Sequence, residues 1–218
     1  VGDLQDEAFL AESLKGVDTL IHIAGINLST KLVDAATANG VNWAILVHTT
    51  GRFSKYKSAS SGYIQIEDDI LARCGSVSES DRIMNCTVLR PTMIFGSSGD
   101  RNMYRLVEYL DKHKFFPLFG AGANLMQPVH ARDLGNADYQ VMTHPGITIN
   151  KCYNLSGKEP ITYLEIIKTI RSLLGRRVLI IKLPISFSIS AAKIYNKLFR
   201  KAIISVEQVM RMQEDKAF

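Results

Sequence analysis

The sequence predicts an α/β protein built around a parallel sheet, and three observations carry that expectation. Short apolar runs, Thr19 to Ala24, Trp43 to His48 and Cys86 to Arg90, alternate with segments of helical periodicity, the pattern of strands joined by crossover helices. The first two runs are apolar almost throughout, as expected of strands buried on both faces. The third runs straight into a proline-fixed loop, Pro91-Thr92-Met93-Ile94-Phe95-Gly96, and strand ends of this kind are where such sheets place ligands.

A chain of 218 residues with 46% hydrophobic and 22% charged residues has the size and composition of a globular protein with a sizeable core. No apolar run approaches the roughly 20 residues of a membrane helix, and Val1-Gly2-Asp3-Leu4-Gln5-Asp6 does not read as a secretion signal. Three widely spaced cysteines, Cys74, Cys86 and Cys152, suggest neither a disulfide framework nor a zinc motif. A reducing, cytoplasmic location is therefore expected. The net charge of +5 is uneven: nine basic residues and no acidic one fall between Ile166 and Val206, leaving the rest of the chain at −4. That stretch is expected to be a solvated basic face, suited to a peripheral partner or an anionic membrane surface. It lacks aromatic interleaving or a recognised module, so no nucleic-acid partner is expected.

The elements follow in order. Asp6 is the expected N-cap of a helix that carries Phe9, Leu10 and Leu14 on one side and stops at Gly16. Leu28 to Asn39 is a second helix, ended by Gly40. Gly51 to Gly62, rich in serine, is expected as a loop, Tyr63 to Arg73 as a helix and Cys74 to Asn85 as a polar connection. Met103, Leu106, Val107 and Leu110 recur at the spacing of one buried helix face. Gly120, Gly122 and Pro128 break up the next segment, after which Ala131 to Met142 is expected to be helical and Lys151 to Leu155 a strand. Thr162 and Glu165 form a capping box ahead of Leu164, Ile167, Ile170 and Leu174. Val178 to Leu183 is a further strand, Ile185 to Ile204 a helix with Lys193, Lys197 and Arg200 on one face, and Val206 to Gln213 a last short helix. The expected division is a sheet region over 1–100 and a lobe of mixed helices and short strands over 101–218, interleaved with the sheet.

Five blocks, in this order, carry a family resemblance: Gly2-Asp3-Leu4; Val17 to Gly25; Leu89 to Gly96; Phe119-Gly120-Ala121-Gly122 leading to Gln127 through Leu134; and Tyr153-Asn154-Leu155-Ser156-Gly157 before the Thr162 helix. Together the chain resembles the NAD(P)-dependent epimerase/dehydratase family, the extended and atypical short-chain dehydrogenase/reductases. The resemblance implies a Rossmann-like doubly wound parallel sheet, lacking its first strands, with a smaller C-terminal α/β substrate lobe. It implies NAD or NADP as cofactor, with Asp3 and Leu4 at the adenine, Ala24, Gly25 and Thr49 along the dinucleotide, and Arg90, Pro91 and Ile94 near the nicotinamide. A glycine at position 25 suits close backbone approach to a flat ligand, and Pro91 stiffens the loop that orients it.

The family's reactive centre is a Ser or Thr with a Tyr-x-x-x-Lys pair, whose lysine lowers the tyrosine pKa so that the phenolate takes a proton. Thr49 and Thr50 match the Ser/Thr position, and Tyr63 follows Thr50 by thirteen residues. The position four further on, on the same helix face, is Glu67, and a carboxylate there would raise the tyrosine pKa. Lys55 or Lys57 is the candidate substitute; aligning Asp68-Asp69 with the family's acidic pair instead puts Ser60 and Ile64 at the catalytic positions. Met126 stands where sugar-nucleotide epimerases carry an arginine for the substrate phosphate, and Gln127-Pro128-Val129 looks more like the atypical members. The family's glycine-rich turn, which cradles the pyrophosphate on a helix N-terminus, has no match: Gly120-Ala121-Gly122 is followed by Leu125 at the third glycine position and by Pro128. Two strands and two helices, the cradle among them, are expected to be missing, as in a truncated gene product.

Two functions follow from the resemblance. One is an NAD(P)-binding epimerase/dehydratase-like oxidoreductase acting on a small or sugar-like substrate, with Thr50 and Tyr63 as catalytic residues. The other is a non-catalytic member, a dinucleotide-sensing regulator or accessory subunit, which Glu67, Met126 and the basic C-terminal segment favour. The partners expected are a small-molecule substrate, a protein or membrane surface at the basic segment, and a second copy as a homodimer. No metal is expected, because His22, His48 and His130 lack partners at ligand spacing and read as packing or hydrogen-bonded core histidines.

Overall fold

The computed structural model describes residues 2–74, 83–100, 102–187, 189–190 and 206–218. Its elements begin with α1 (Glu7–Ser13), β1 (Thr19–His22), α2 (Ser29–Ala38), β2 (Trp43–Val47), α3 (Lys57–Cys74) and β3 (Asn85–Pro91). They continue with β4 (Ile94–Phe95), α4 (Met103–Lys112), β5 (Phe115–Phe119), β6 (Leu125–Met126), β7 (Val129–His130) and α5 (Ala131–Thr143). The last are α6 (Pro145–Thr148), β8 (Cys152–Leu155), β9 (Ile161–Thr162), α7 (Tyr163–Leu173), β10 (Leu179–Leu183) and α8 (Val206–Arg211). The chain packs into two compact units, Val1–Pro91 with Arg132–Leu155, and Thr92–Ala131 with Ser156–Phe218. The division thus follows Pro91, where the sequence reading placed it at 100, and 132–155 rejoins the first unit because β8 pairs with β3.

The first unit is a parallel sheet in the order β1-β2-β3-β8. All five residues of β2 are buried. Leu14, Val33, Ala36, Ala44, Leu46, Ile70 and Val88 form the core where α2 and α3 meet the sheet. Polar atoms inside the unit are satisfied, as burial demands: Trp43 Nε1 donates to Thr87 Oγ1 at 3.0 Å, and the Thr87 hydroxyl donates to the Thr148 carbonyl at 2.8 Å.

Two expectations are corrected here. The first strand ends at His22 and is not buried on both faces: Ile21 is 40% and Ile23 70% exposed. It is the outermost strand, with β2 as its one described neighbour, so its other edge is unpaired among the described residues. The serine-rich segment after Gly51 is not a loop. It holds a 3-10 turn over Thr50–Phe53 and then the first turns of α3, which starts at Lys57. Serine reads as loop because its hydroxyl competes for backbone partners, but Ser60 is fully buried with its hydroxyl 3.4 Å from the Tyr56 carbonyl one turn back. The helix itself satisfies it.

In the second unit, α4 and α7 pack with the parallel pair β5–β10 around Leu110, Leu118, Ile167 and Val178. The capping box of Thr162 and Glu165 opens α7 as expected. The strand β5 was not anticipated, because Pro117 lies inside it; a proline is tolerated where a strand has an open edge, and β10 is the one described partner of β5. A short antiparallel pair, β6–β9, is extended by the last residues: the Lys216 amide donates to the Leu125 carbonyl at 2.7 Å, and the Phe218 amide to Gln127 Oε1 at 3.0 Å. Residues 185–187 and 189–190 are helical. The rest of the helix expected over 185–204, with Lys193, Lys197 and Arg200, lies outside the described residues, as does most of the connection after Cys74. Among the described residues no helix is long and apolar enough to cross a membrane.

Candidate functional site

Because β1, β2 and β3 run parallel, with His22 opposite Leu46 and Val47 opposite Leu89, their C-terminal ends emerge on one side of the sheet. Ala24, Gly25, Thr49, Thr50 and Pro91 follow or end those strands there, the side on which open α/β sheets hold ligands. The Ala24–Gly25 turn is exposed, and Gly25 has φ +110, a conformation that a side chain would strain. His22 fixes this turn from beneath, its Nε2 3.0 Å from the Gly25 carbonyl. Burial lowers the His22 pKa; the hydrogen bond to Gly25 works against that, and the nearby His48 adds to it.

The turn after β2 is tied to the end of β3 by Thr50, which is 7% exposed and donates its hydroxyl to the Pro91 carbonyl at 3.1 Å. That bond uses the one proton the Thr50 hydroxyl can give. Thr49 Oγ1 accepts from the Gly51 amide at 3.0 Å. A methyl group on Gly51 would lie 3.2 Å from Thr49 Oγ1 and 3.9 Å from the Tyr63 ring. Thr49, Gly51 and half-buried Tyr63 are thus immediate neighbours.

Glu67 is engaged in the interior of the unit. Its side chain is fully buried and turned toward the sheet, where His48 Nδ1 lies 2.8 Å from its Oε2 and Arg90 reaches Oε1 through Nε at 2.8 Å and Nη2 at 2.6 Å. Arg52 pairs with the same oxygen and, through Nη2, with Asp68 at 2.9 Å. Since a carboxylate only accepts, His48 donates through Nδ1, and its Nε2 meets Ser29 Oγ at 3.1 Å. Both guanidinium groups also lie against the Phe53 ring, 5.7 and 5.6 Å from its centre. Burial alone would push the Glu67 pKa up, but the hydrogen bonds from His48 and Arg90 and the charges of Arg90 and Arg52 outweigh it and hold the value at about 2. The Glu67 charge is thus balanced by the two arginines.

A pH dependence follows. The folded-state pKa of Glu67 lies below its ordinary 4.5, so its contribution is complete above about pH 4.5 and is lost as pH falls toward 2. A depression of this size corresponds to about 3 kcal/mol. Urea unfolding between pH 5 and 2.5 is expected to show that loss, and a Glu67→Gln variant is expected to show a flatter dependence over the same window.

The other expected residues are scattered. Asp3 is exposed and caps its own turn, accepting from the Gln5 amide at 2.9 Å; Leu4 beside it is half-buried. Arg90 was expected beside a nicotinamide, but its guanidinium is committed to Glu67 and Phe53. Ile94 belongs to the second unit, where it pairs with Val129. Met126 is buried there opposite Ile161. Lys55 is exposed, and the Lys57 side chain lies outside the described residues. The histidines are placed as expected: His22 and His48 are buried and hydrogen-bonded, and His130 meets Phe95 edge-on at 5.1 Å between ring centres. Sequence reasoning missed Ser29, Arg52 and Phe53. No spacing rule links Ser29 on α2 to His48 or Arg52 to Glu67; a buried-type strand ending in a histidine was the one available signal.

No protein-family profile matches the chain. Curated relatives are subunit 9 of the NADH dehydrogenase [ubiquinone] 1 alpha subcomplex, mitochondrial, from Dictyostelium discoideum, 25% identical over 77% of this chain and 48% of the relative, and from Arabidopsis thaliana, 21% identical over 84% and 47%. The chain spans about half the length of these relatives. Among solved structures, UDP-glucuronic acid 4-epimerase from Bacillus cereus, in complex with UDP-glucuronic acid and NAD, superposes with a TM-score of 0.71 over 97% of this chain and 78% of that one, at 15% identity. The dTDP-glucose 4,6-dehydratase DesIV from Streptomyces venezuelae, with NAD bound, gives 0.67 over 96% and 77%, at 18% identity. The chain has the epimerase/dehydratase fold. The fold implied by the five sequence blocks is thereby borne out. The parallel central sheet β1-β2-β3-β8 is part of that match.

Proposed function

We propose that the chain is part of a dinucleotide-binding member of the epimerase/dehydratase group that serves as an accessory subunit of a larger assembly rather than as a catalyst. The observation that carries this reading is Glu67. It occupies the position of the catalytic lysine and is locked into a neutralised cluster with Arg52, Arg90 and His48, which leaves Tyr63 without a basic neighbour four residues on. The Thr50 hydroxyl is likewise engaged by Pro91. Both curated relatives are named as subunits of an NADH dehydrogenase subcomplex, which supports the same conclusion.

NAD or NADP is the proposed ligand, lying across the Ala24–Gly25 turn and the ends of β2 and β3; solved structures of the same fold hold NAD. The working protein is proposed to be longer than this chain. The edge of β1 that is unpaired among the described residues, with the exposed Ile21 and Ile23 beside it, would be covered by a further parallel strand and helix, since parallel sheets are normally buried, and that strand and helix would supply the missing phosphate cradle. Three free cysteines suit a reducing compartment, either the cytoplasm or the interior of the organelle named for both relatives.

The test is a titration with NADH and NADPH. The 218-residue chain is expected to give no saturable fluorescence change; a chain extended by its upstream coding frame to the relatives' length is expected to saturate, without turning over nucleotide when sugar nucleotides are added. Turnover that Tyr63→Phe abolishes would overturn the accessory reading in favour of an oxidoreductase centred on Thr50 and Tyr63.

A further inference from the structure

The parallel pair β5–β10 of the second unit is apolar on both faces, and one of those faces is exposed. Alternate residues of a strand point to opposite sides, and Phe116, Leu118 and Ile180 turn inward against Leu110 of α4 and Ile167 of α7. The outer side carries Phe115, Pro117 and Phe119 opposite Leu179, Ile181 and Leu183, six apolar residues with no polar one among them. Leu179 is 66%, Phe115 49% and Ile181 40% exposed, whereas parallel strands are normally buried on both faces. Exposed cations bracket this strip. Lys114 precedes β5, Arg177 lies two residues before β10 and Lys182 lies within it, and none of the three makes an ion pair among the described residues. Asp111, three residues before Lys114, is taken by Arg176 at 2.8 Å. The second unit as a whole holds sixteen Lys and Arg against eight Asp and Glu, a net charge of +8, while the first holds ten against thirteen, a net charge of −3.

We propose that the outer face of β5 and β10 docks on an anionic lipid bilayer, with Phe115, Leu179 and Ile181 entering the headgroup region and Lys114, Arg177 and Lys182 meeting lipid phosphates and carboxylates around them. The size of the strip selects this occupant. Two five-residue strands present roughly 16 Å by 10 Å, far below the about 800 Å² that each partner of a stable protein interface covers, so this face alone holds neither a second copy nor a folded partner. A bilayer sets no such threshold, because apolar insertion and the attraction of cations add, each cation near an anionic surface strengthening binding about fivefold. The charge selects the kind of lipid. Three unpaired cations around an apolar strip, in a unit of net charge +8, are attracted to anionic headgroups and gain nothing from zwitterionic ones. The inference concerns the second unit and does not rest on the dinucleotide reading of the first.

The test floats the 218-residue chain with vesicles of phosphatidylcholine alone and of phosphatidylcholine mixed with phosphatidylserine. Binding is expected to the mixed vesicles, at least about tenfold weaker to the neutral ones, and weaker in both lipid-binding steps at high salt. Leu179→Glu, at an exposed position, is expected to lower binding to the mixed vesicles by about tenfold or more, and Arg177→Gln combined with Lys182→Gln by about tenfold. Leu179→Trp supplies a readout that does not depend on weakened binding. Its emission is expected to shift to the blue when mixed vesicles are added, while the native chain, whose one tryptophan Trp43 is 6% exposed, shows no shift. Equal binding to both vesicles, no binding to either, or an unshifted Leu179→Trp overturns the proposal. It is overturned equally if Leu179→Glu binds undiminished while Lys193→Gln, Lys197→Gln and Arg200→Gln together abolish binding, which places the attraction elsewhere. A dimer in light scattering that Leu179→Glu dissociates, without vesicle binding, gives the face to a second copy instead.

Discussion

Replacing Glu67 with glutamine is expected to destabilise the protein by about 3–5 kcal/mol, the range for removing one member of a buried ion pair. The carboxylate is fully buried and is the shared acceptor for Arg52, Arg90 and His48, whose guanidinium partners are 16% and 12% exposed at the side chain. Glutamine keeps the shape but removes the charge, leaving two guanidinium groups facing each other, and it turns an amide NH2 toward groups that only donate. Urea unfolding reads the effect as a lowered midpoint at unchanged slope. A loss under about 1 kcal/mol would show that the cluster does not hold α3 to β3. Glu67→Lys, the substitution that would recreate the family's catalytic pair, is expected to be worse still, because it buries a third cation among the first two.

Gly157→Ala is expected to cost about 3 kcal/mol or more. A Cβ at this position would lie 2.1 Å from the Pro128 carbonyl oxygen, a backbone atom that no rotamer change can move aside. The same two segments are joined by the Gln127 side chain, which donates to the Gly157 carbonyl at 2.7 Å, and by the Gly157 amide, 3.4 Å from the Gln127 carbonyl. Thr92 Oγ1 donates to that carbonyl at 2.5 Å, so a shift of the chain would disturb several hydrogen bonds as well as packing. Gly135→Ala supplies the comparison. It sits in α5 with nothing within 4 Å of the added carbon and is expected to stabilise the protein by about 0.5–1 kcal/mol through helix propensity. Equal midpoints for the two variants in urea would refute the contact at Gly157.

The sequence by itself determined the parallel sheet and most of its helices, because these rest on local signals. The apolar run from Trp43 to Val47 is buried at every position, Asp6 and Thr162 cap the helices they were expected to cap, and the spacing of Met103, Leu106 and Leu110 marks α4. The five family blocks reach the same fold, since each sits at a strand end or turn whose geometry few residues satisfy. Where local signals misled, a tertiary contact decided. Ser60 is helical because burial against the Tyr56 carbonyl satisfies it, and, among the described residues, Pro117 stands in a strand, β5, paired on one edge alone and β1 is half-exposed at the end of the sheet. The chemistry of the site was decided by tertiary structure alone. Helical spacing puts Glu67 on the face of Tyr63, but nothing local says that Arg52 and Arg90 will meet it in the interior. Ion pairs between residues 15 to 23 positions apart follow from how α3 is laid on the sheet, and that placement depends on the whole core at once.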